Sequence, residues 1–159
     1  MKKIILLSGC LLGLLQLNAQ TKITKTNVIG KWTIQAIDMP GMIYYNLEND
    51  SLAVGEMLKS QMPDPSQTSA ITAMIKPQMA VFSKVGFQFN ADGTVELNSG
   101  IEGPQTGTYT VDEEKSEITT TEKDAKQNTF KADLLKDNLR VSVKTPQGDM
   151  MMILKKAKS

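Results

Sequence analysis

The sequence predicts an all-β protein: an eight-stranded antiparallel up-and-down barrel with a two-helix insert between its first and second strands. Three observations predict it. Apolar residues alternate at period two from residue 85 almost to the C terminus. Turn residues punctuate that stretch at short intervals. One isolated strand precedes it, separated by a segment of helical spacing. A sheet of this many strands leaves exposed edges unless it closes, and closure at eight strands is a favoured solution.

The chain begins with a segment outside this pattern. Lys2-Lys3 is a basic start, Ile4 to Leu17 is almost wholly apolar, and Leu17-Asn18-Ala19 ends on a small residue. This reads as a signal peptide over 1–19, because a spanning helix needs about 20 apolar residues. The expected location is therefore exported, periplasmic or secreted. Cys10, the only cysteine, lies in Leu7-Ser8-Gly9-Cys10, a pattern at which bacterial lipoproteins are lipidated. Cleavage near Ala19 is the stronger reading, since the apolar run continues past Cys10. It would leave a mature chain without any disulfide.

Residues 20–26 are polar and read as a flexible lead-in to a single domain at 27–157. In the first strand, Trp32, Ile34 and Ala36 share one face, with Lys31, Thr33 and Gln35 opposite. Met39-Pro40-Gly41 stops it. The insert spans about 50–84. Val54, Met57, Leu58 and Met62 repeat at helical spacing behind a capping candidate, Asp50 or Ser51. Pro63-Asp64-Pro65 breaks that helix, and Asp64 can cap a second one. There Ile71, Met74, Ile75, Met79 and Phe82 form a stripe, and Pro77 should kink or end it.

The remaining strands follow in order. Phe87-Gln88-Phe89 turns through Asp92-Gly93 into Thr94 to Leu97. Gly107 to Val111 turns at Asp112-Glu113-Glu114-Lys115 into Ser116 to Thr121. Thr129 to Leu135 turns into Leu139 to Lys144, and Pro146 to Asp149 into Met150 to Leu154. The last strand would pair with the first. Alternation places Trp32, Ile34, Phe87, Phe89, Val95, Leu97, Tyr109, Val111, Ile118, Phe130, Ala132, Leu134, Leu139, Val141 and Val143 inward.

Gly30-Lys31-Trp32 matches the G-x-W that opens the first strand of lipocalins. Phe87-x-Phe89-x-x-Asp92-Gly93-Thr94 resembles a hairpin of bacterial lipocalin-like exported proteins. With the antiparallel run behind it, the resemblance to lipocalin-like proteins covers most of residues 27 to 156. It implies a barrel closed at one end by Trp32 and open at the other to small apolar molecules. It also implies an arginine near the last strand over that tryptophan. Arg140, the only arginine, alternates with Leu139 and Val141 and should face outward. The helices after the first strand are more similar to the lid of fatty-acid-binding proteins, which have ten strands.

The composition excludes much. There is no histidine, hence no usual general base, proton shuttle or commonest metal ligand. Without Lys2 and Lys3 the chain holds 16 basic and 17 acidic residues, a net charge of −1 that gives no reason to expect nucleic acid. No catalytic constellation, cofactor motif or calcium ladder is present, and Asp112-Glu113-Glu114 reads as a solvated turn rather than a metal site. The expected function is non-catalytic: binding of a small apolar molecule in the barrel. The alternative is a structural or protein-interaction module with a barrel filled by its own side chains. Candidate lumen and lid residues are Ile34, Tyr44, Tyr45, Met57, Met74, Met79, Phe87, Phe89, Tyr109, Phe130 and Val141. Gly30 and Trp32 close the barrel. Trp32 is expected as a packed plug rather than a stacking platform. The methionines cover one barrel end, and form an adaptable lid if the barrel is hollow. Tyr44 and Tyr45 rim the mouth or pack beside it.

Overall fold

The computed structural model describes residues 20–62, 64, 66–100, 103–146 and 148–157. The segment read as a leader, with Cys10 and the cleavage site expected at Ala19, lies outside the described residues, as do Pro63 and Pro65, expected to break the helix.

The barrel strands are β2 (Gly30–Met39), β5 (Gly86–Phe89), β6 (Thr94–Asn98), β7 (Gln105–Asp112), β8 (Glu117–Glu122), β9 (Gln127–Leu135), β10 (Asn138–Thr145) and β11 (Gly148–Lys156), following β1 (Gln20–Thr21), β3 (Ile43–Asn46) and β4 (Ser51–Val54) in chain numbering. Each barrel strand pairs antiparallel with the next, and β11 returns to β2, so eight strands close. The closing register runs from Met151 opposite Asp38 to Lys156 opposite Trp32, with a bulge at Ile153/Leu154. The turns expected from β5 onward fall between successive strands, except that Gly148 and Asp149 of the last one already belong to β11, and its Gln147 lies outside the described residues. At the first, Asp92 Oδ1 accepts from the Thr94 backbone N–H at 2.9 Å and Gly93 takes φ +90°.

The predicted inward residues lie in the observed core, which also takes in Met152, Leu154 and, beyond the bulge in the closing register, Ile37 from the face expected to point outward. All members of the predicted set belong to the core or pack against it, except Leu97, which faces a cavity at one end. No polar or charged residue is buried among the described residues.

The segment before β5 departs from expectation in three ways. First, the helices do not follow the first barrel strand directly. A hairpin of β3 and β4 intervenes, with the upper half of β2 (Ala36–Met39) pairing with β3 while its lower half (Gly30–Thr33) pairs with β5. Residues 51–54, read as the start of a helix, are therefore strand. Asp50 is no helix cap; it sits at φ +52° in the hairpin turn, accepting a 2.7 Å hydrogen bond from the Tyr45 hydroxyl and pairing with Lys76 at 2.9 Å. Second, the first helix shrinks to α2, Glu56–Lys59. Third, Pro77 lies within α3, Gln67–Ala80, which continues through it into a 3-10 turn at Val81–Lys84. Helix α3 packs on β4, and the turn on β2.

The lead-in differs too. Residues 20–26 carry β1, paired with β9, and the start of α1, Lys25–Val28, whose N-cap Thr24 forms a reciprocal capping box with Asn27. Ile23 and Val28 are completely buried. Two apolar residues in a polar stretch give no periodic signal, yet both fill the narrow end of the barrel.

Two predictions follow from these features. Ile23→Ala should lower unfolding free energy by about 2–5 kcal/mol, a core-sized loss, in urea titration. Lys22→Ala beside it should change little, and equal effects would mean that the segment does not plug the barrel. Acid should also weaken the fold. Thr94 hydrogen bonds hold Asp92 below the usual carboxylate range, and Lys115 hydrogen bonds do the same for Asp112. The Tyr45 hydroxyl, then Lys76, lowers Asp50. Each favours its ionised form more strongly when folded. The stabilisation is therefore complete above the unfolded value of about 4 and is lost as pH falls through the lower folded values. Urea midpoints should be flat from about pH 7 to 5 and drop below about pH 4, with a smaller drop in Asp92→Asn.

Candidate functional site: the barrel mouth

The two ends of the barrel are built differently. At the foot, Trp32 is 2 % exposed and its Nε1 donates to the Val28 carbonyl at 2.7 Å. The Lys156 ammonium lies 5.3 Å from the ring centre. It faces the indole as the resemblance implies an arginine should, a cation–π contact worth about 0.5–1 kcal/mol at an exposed site. Gly30 makes the approach possible: at φ +131°, a Cβ there would come within 2.6 Å of the Lys156 stem. Arg140 faces outward as expected, bonded to Asp133 at 2.6 Å. Gly30 and Trp32 thus close the barrel, with a different cation in the arginine's place.

Several candidate ligand residues belong to this closed half or to the wall. Tyr109 meets Phe89 edge-on at 4.9 Å, and its hydroxyl donates to the Asn90 carbonyl at 2.9 Å. Burial, and then the nearby Asp92 charge, pushes its phenol above the ordinary range. It holds the foot of the barrel together and is not at the mouth. Ile34 is core. Tyr45 is buried with its hydroxyl on Asp50, which together with burial raises its phenol, whereas Tyr44 points out from β3.

Above the foot, a void of about 30 Å³ is enclosed by Phe87, Phe89, Ile118, Thr120, Phe130, Leu139, Val141, Met152 and Leu154. That is room for about one water, in an apolar setting that offers water few partners. The middle of the barrel is filled by its own side chains.

The mouth is open. Between the upper ends of β5 to β9 lies a cavity of about 440 Å³, with Phe87, Val95, Leu97 and Phe130 as apolar surface. Thr120, Gln105 and Asn128 line its sides, and Glu122, Lys123 and Asp124 its rim. Phe87, Thr120 and Phe130 line both this cavity and the small void, so they form the floor between them. Asn128 donates its side-chain amide to Glu122 Oε1 at 2.9 Å.

The lid residues do not reach this cavity. Met79 is buried in the core beneath α3, and Met74 is 61 % exposed on its outer side. Met57, 55 % exposed, borders a separate hollow of about 300 Å³ with Met39, Met42 and the β10–β11 turn. The helices buttress the wall that β3 and β4 extend; they do not roof the mouth. Of the stripe, only Ile75, Met79 and Phe82, spaced four and three apart, pack inward. Of the candidates, Phe87 and Phe130 lie at the mouth, and Phe89 and Val141 below it. The polar wall was missed as a site, although alternation carries it: Thr120 and Glu122 continue the inward face of Ile118, and Asn128 that of Phe130. Among the described residues no acidic or cysteine cluster could hold a metal. No helix there is long and apolar enough to cross a membrane.

Phe130→Ala should join the void to the mouth. The expected cost is about 3 kcal/mol, low in the range for a large-to-small aromatic change because Phe130 is only half-buried. An apolar fluorophore should bind the variant with more probe volume admitted and a bluer emission. Unchanged emission would show that Phe130 is not the floor.

No protein-family model and no curated protein matches the sequence. The chain is similar in structure to a protein from Bacteroides uniformis ATCC 8492 solved by NMR, at 15% identity and TM-score 0.47, over 87% of this chain and 96% of that one. It is also similar to a lipocalin-like protein from the same organism, at 14% identity and TM-score 0.42, over 82% and 99% of the two chains. An uncharacterized protein from Bacteroides eggerthii DSM 20697 gives 13% identity and TM-score 0.42, over 81% and 98%. At these scores the likeness is one of overall shape. By its own geometry, eight strands closed over an indole foot and open at the opposite end, the chain is lipocalin-like in architecture.

Proposed function

We propose that this is an extracytoplasmic protein that binds a small hydrophobic ligand in the mouth of its barrel and does no chemistry on it. The observation that carries this reading is the cavity of about 440 Å³ with Phe87, Val95, Leu97 and Phe130 as its apolar surface. Its size falls within the range of small-molecule sites, roughly 300–1,000 Å³. Binding would come from burying apolar area, at about 25 cal/mol per Å². Export rests on the leader at 1–19, with lipid attachment at Cys10 the second route.

The filled middle of the barrel, with about 30 Å³ of free volume, supports the alternative of a structural or interaction module. Native mass spectrometry of protein from its own host, followed by solvent extraction, separates the two. A recurring lipid-like species supports binding, and the intact mass also reads whether the mature chain starts after Ala19 or at a lipidated Cys10. Leu97→Trp, which fills the cavity, should weaken uptake of an apolar fluorophore by about tenfold or more, the equivalent of about 1.4 kcal/mol, without loss of fold. A ligand-free mass together with no probe uptake by the unmodified protein would leave the structural reading.

A further inference from the structure

The rim adds a chemical preference to the proposed ligand. We infer that the mouth selects an amphiphile with an apolar tail and a cationic, hydrogen-bond-donating head, and disfavours a carboxylate head. This rests on the ligand-binding reading above and deepens it.

The tail's place is the surface of Phe87, Val95, Leu97 and Phe130. Below it the floor stops a tail from entering the foot, so any polar head stays at rim level. Among the described residues, three charged side chains line that rim: Glu122, Lys123 and Asp124. Glu122 ends β8 on the same face as Ile118 and Thr120, which directs its carboxylate towards the cavity. One of its oxygens takes the Asn128 amide hydrogen, and among the described residues it is in no ion pair. A carboxylate has about four lone-pair sites, so one amide hydrogen leaves it able to accept from a ligand. Asn128 is thereby a positioning residue, holding Glu122 over the opening.

Lys123 and Asp124 follow in the exposed turn and offset each other. Asp124 Oδ1 also accepts from the Lys126 backbone N–H at 3.2 Å. Among the described residues of the opening, the remaining charge is negative and belongs to Glu122. No arginine stands there, since the chain's only one, Arg140, is bonded to Asp133 on the outer wall. A fatty acid entering tail first would bring its carboxylate against Glu122, whereas a protonated amine would meet an acceptor.

The test compares decylamine, decanol and decanoate, matched in tail, by calorimetric titration of the full mature protein at neutral pH and low salt. Decylamine should bind roughly fivefold or more tighter than decanoate, with decanol between, the size expected of a partly screened charge contact. The gap should narrow as salt rises. Glu122→Gln, which keeps an acceptor for Asn128, should shrink the amine-to-carboxylate ratio to within about twofold. Lys123→Ala should widen it. Equal or tighter binding of decanoate, or an amine-to-carboxylate ratio that Glu122→Gln leaves unchanged, overturns the head-group inference and leaves the apolar site standing. Failure of all three amphiphiles to bind overturns both.

Discussion

The pairing of β11 with β2 is the contact on which the rest of the structure depends. It turns a run of hairpins into a cylinder, and it sets the level of everything inside. Because Lys156 lies opposite Trp32 and Met151 opposite Asp38, the last strand supplies Met152 and Leu154 to the core and a cation to the foot. Without that pairing both strands would present open edges, and edges invite pairing with other chains. The same strand β2 must satisfy a second neighbour that changes along its length, β5 below and β3 above. The barrel is therefore a true closed ring only in its lower part. Above Thr33 the wall is extended by the β3–β4 hairpin and supported by α3.

That change of partner explains the contrast between the ends. Large side chains gather where the ring is complete: Trp32, Phe89, Tyr109, Leu139 and Leu154, with Ile23 and Val28 brought in from the N-terminal segment. The Trp32 N–H and Tyr109 O–H both find backbone carbonyls, so these rings bury their area without leaving a donor unpaired. Towards the mouth the inward positions become small or polar, as at Gly107, Thr120, Glu122 and Asn128. Gly107 has its own reason to be small, since a Cβ would stand 2.3 Å from the Thr121 carbonyl oxygen.

The barrel was legible in the sequence because period-two alternation holds from β5 onward; in β2 the bulge opposite β11 breaks it, so that Ile34 and Ile37 rather than Ile34 and Ala36 face Leu154 and Met152. A one-residue slip would have inverted a strand, and from β5 to β11 none occurred. The segment before β5 was not legible, for physical reasons. Strands β3 and β4 have four residues each, too few for alternation to outweigh a competing period. Val54, Met57 and Leu58 do stand three and four apart, but Val54 ends a strand and only the others lie in helix. The plug formed by Ile23 and Val28 is a tertiary effect: nothing local distinguishes an isoleucine in a polar stretch that will dock from one that will not. Lys156 over Trp32 was hidden for the same reason, since it depends on cross-strand register and on the missing side chain at Gly30. The methionines carried a composition signal without direction, and Met57, Met74 and Met79 went to three different environments.

A graded interior of this kind restricts what can occupy it. A fully apolar ligand would leave the remaining lone pairs of the Glu122 carboxylate facing hydrocarbon, and a desolvated, unpaired polar group costs about 1–3 kcal/mol by mutational measures. A wholly polar ligand would leave Phe87, Val95, Leu97 and Phe130 with nothing to bury. The surface matches a molecule that is apolar at its inner end and hydrogen-bonding at its outer end, immersed to the depth of the Phe87–Phe130 floor and no further. Affinity would then depend on the area of one short tail, while selectivity would depend on the rim, where charge is exposed and weak in energy. The filled foot limits how tightly the protein can hold any guest. It also keeps the barrel stable with the mouth empty, because the aromatic packing that closes the ring does not depend on an occupant.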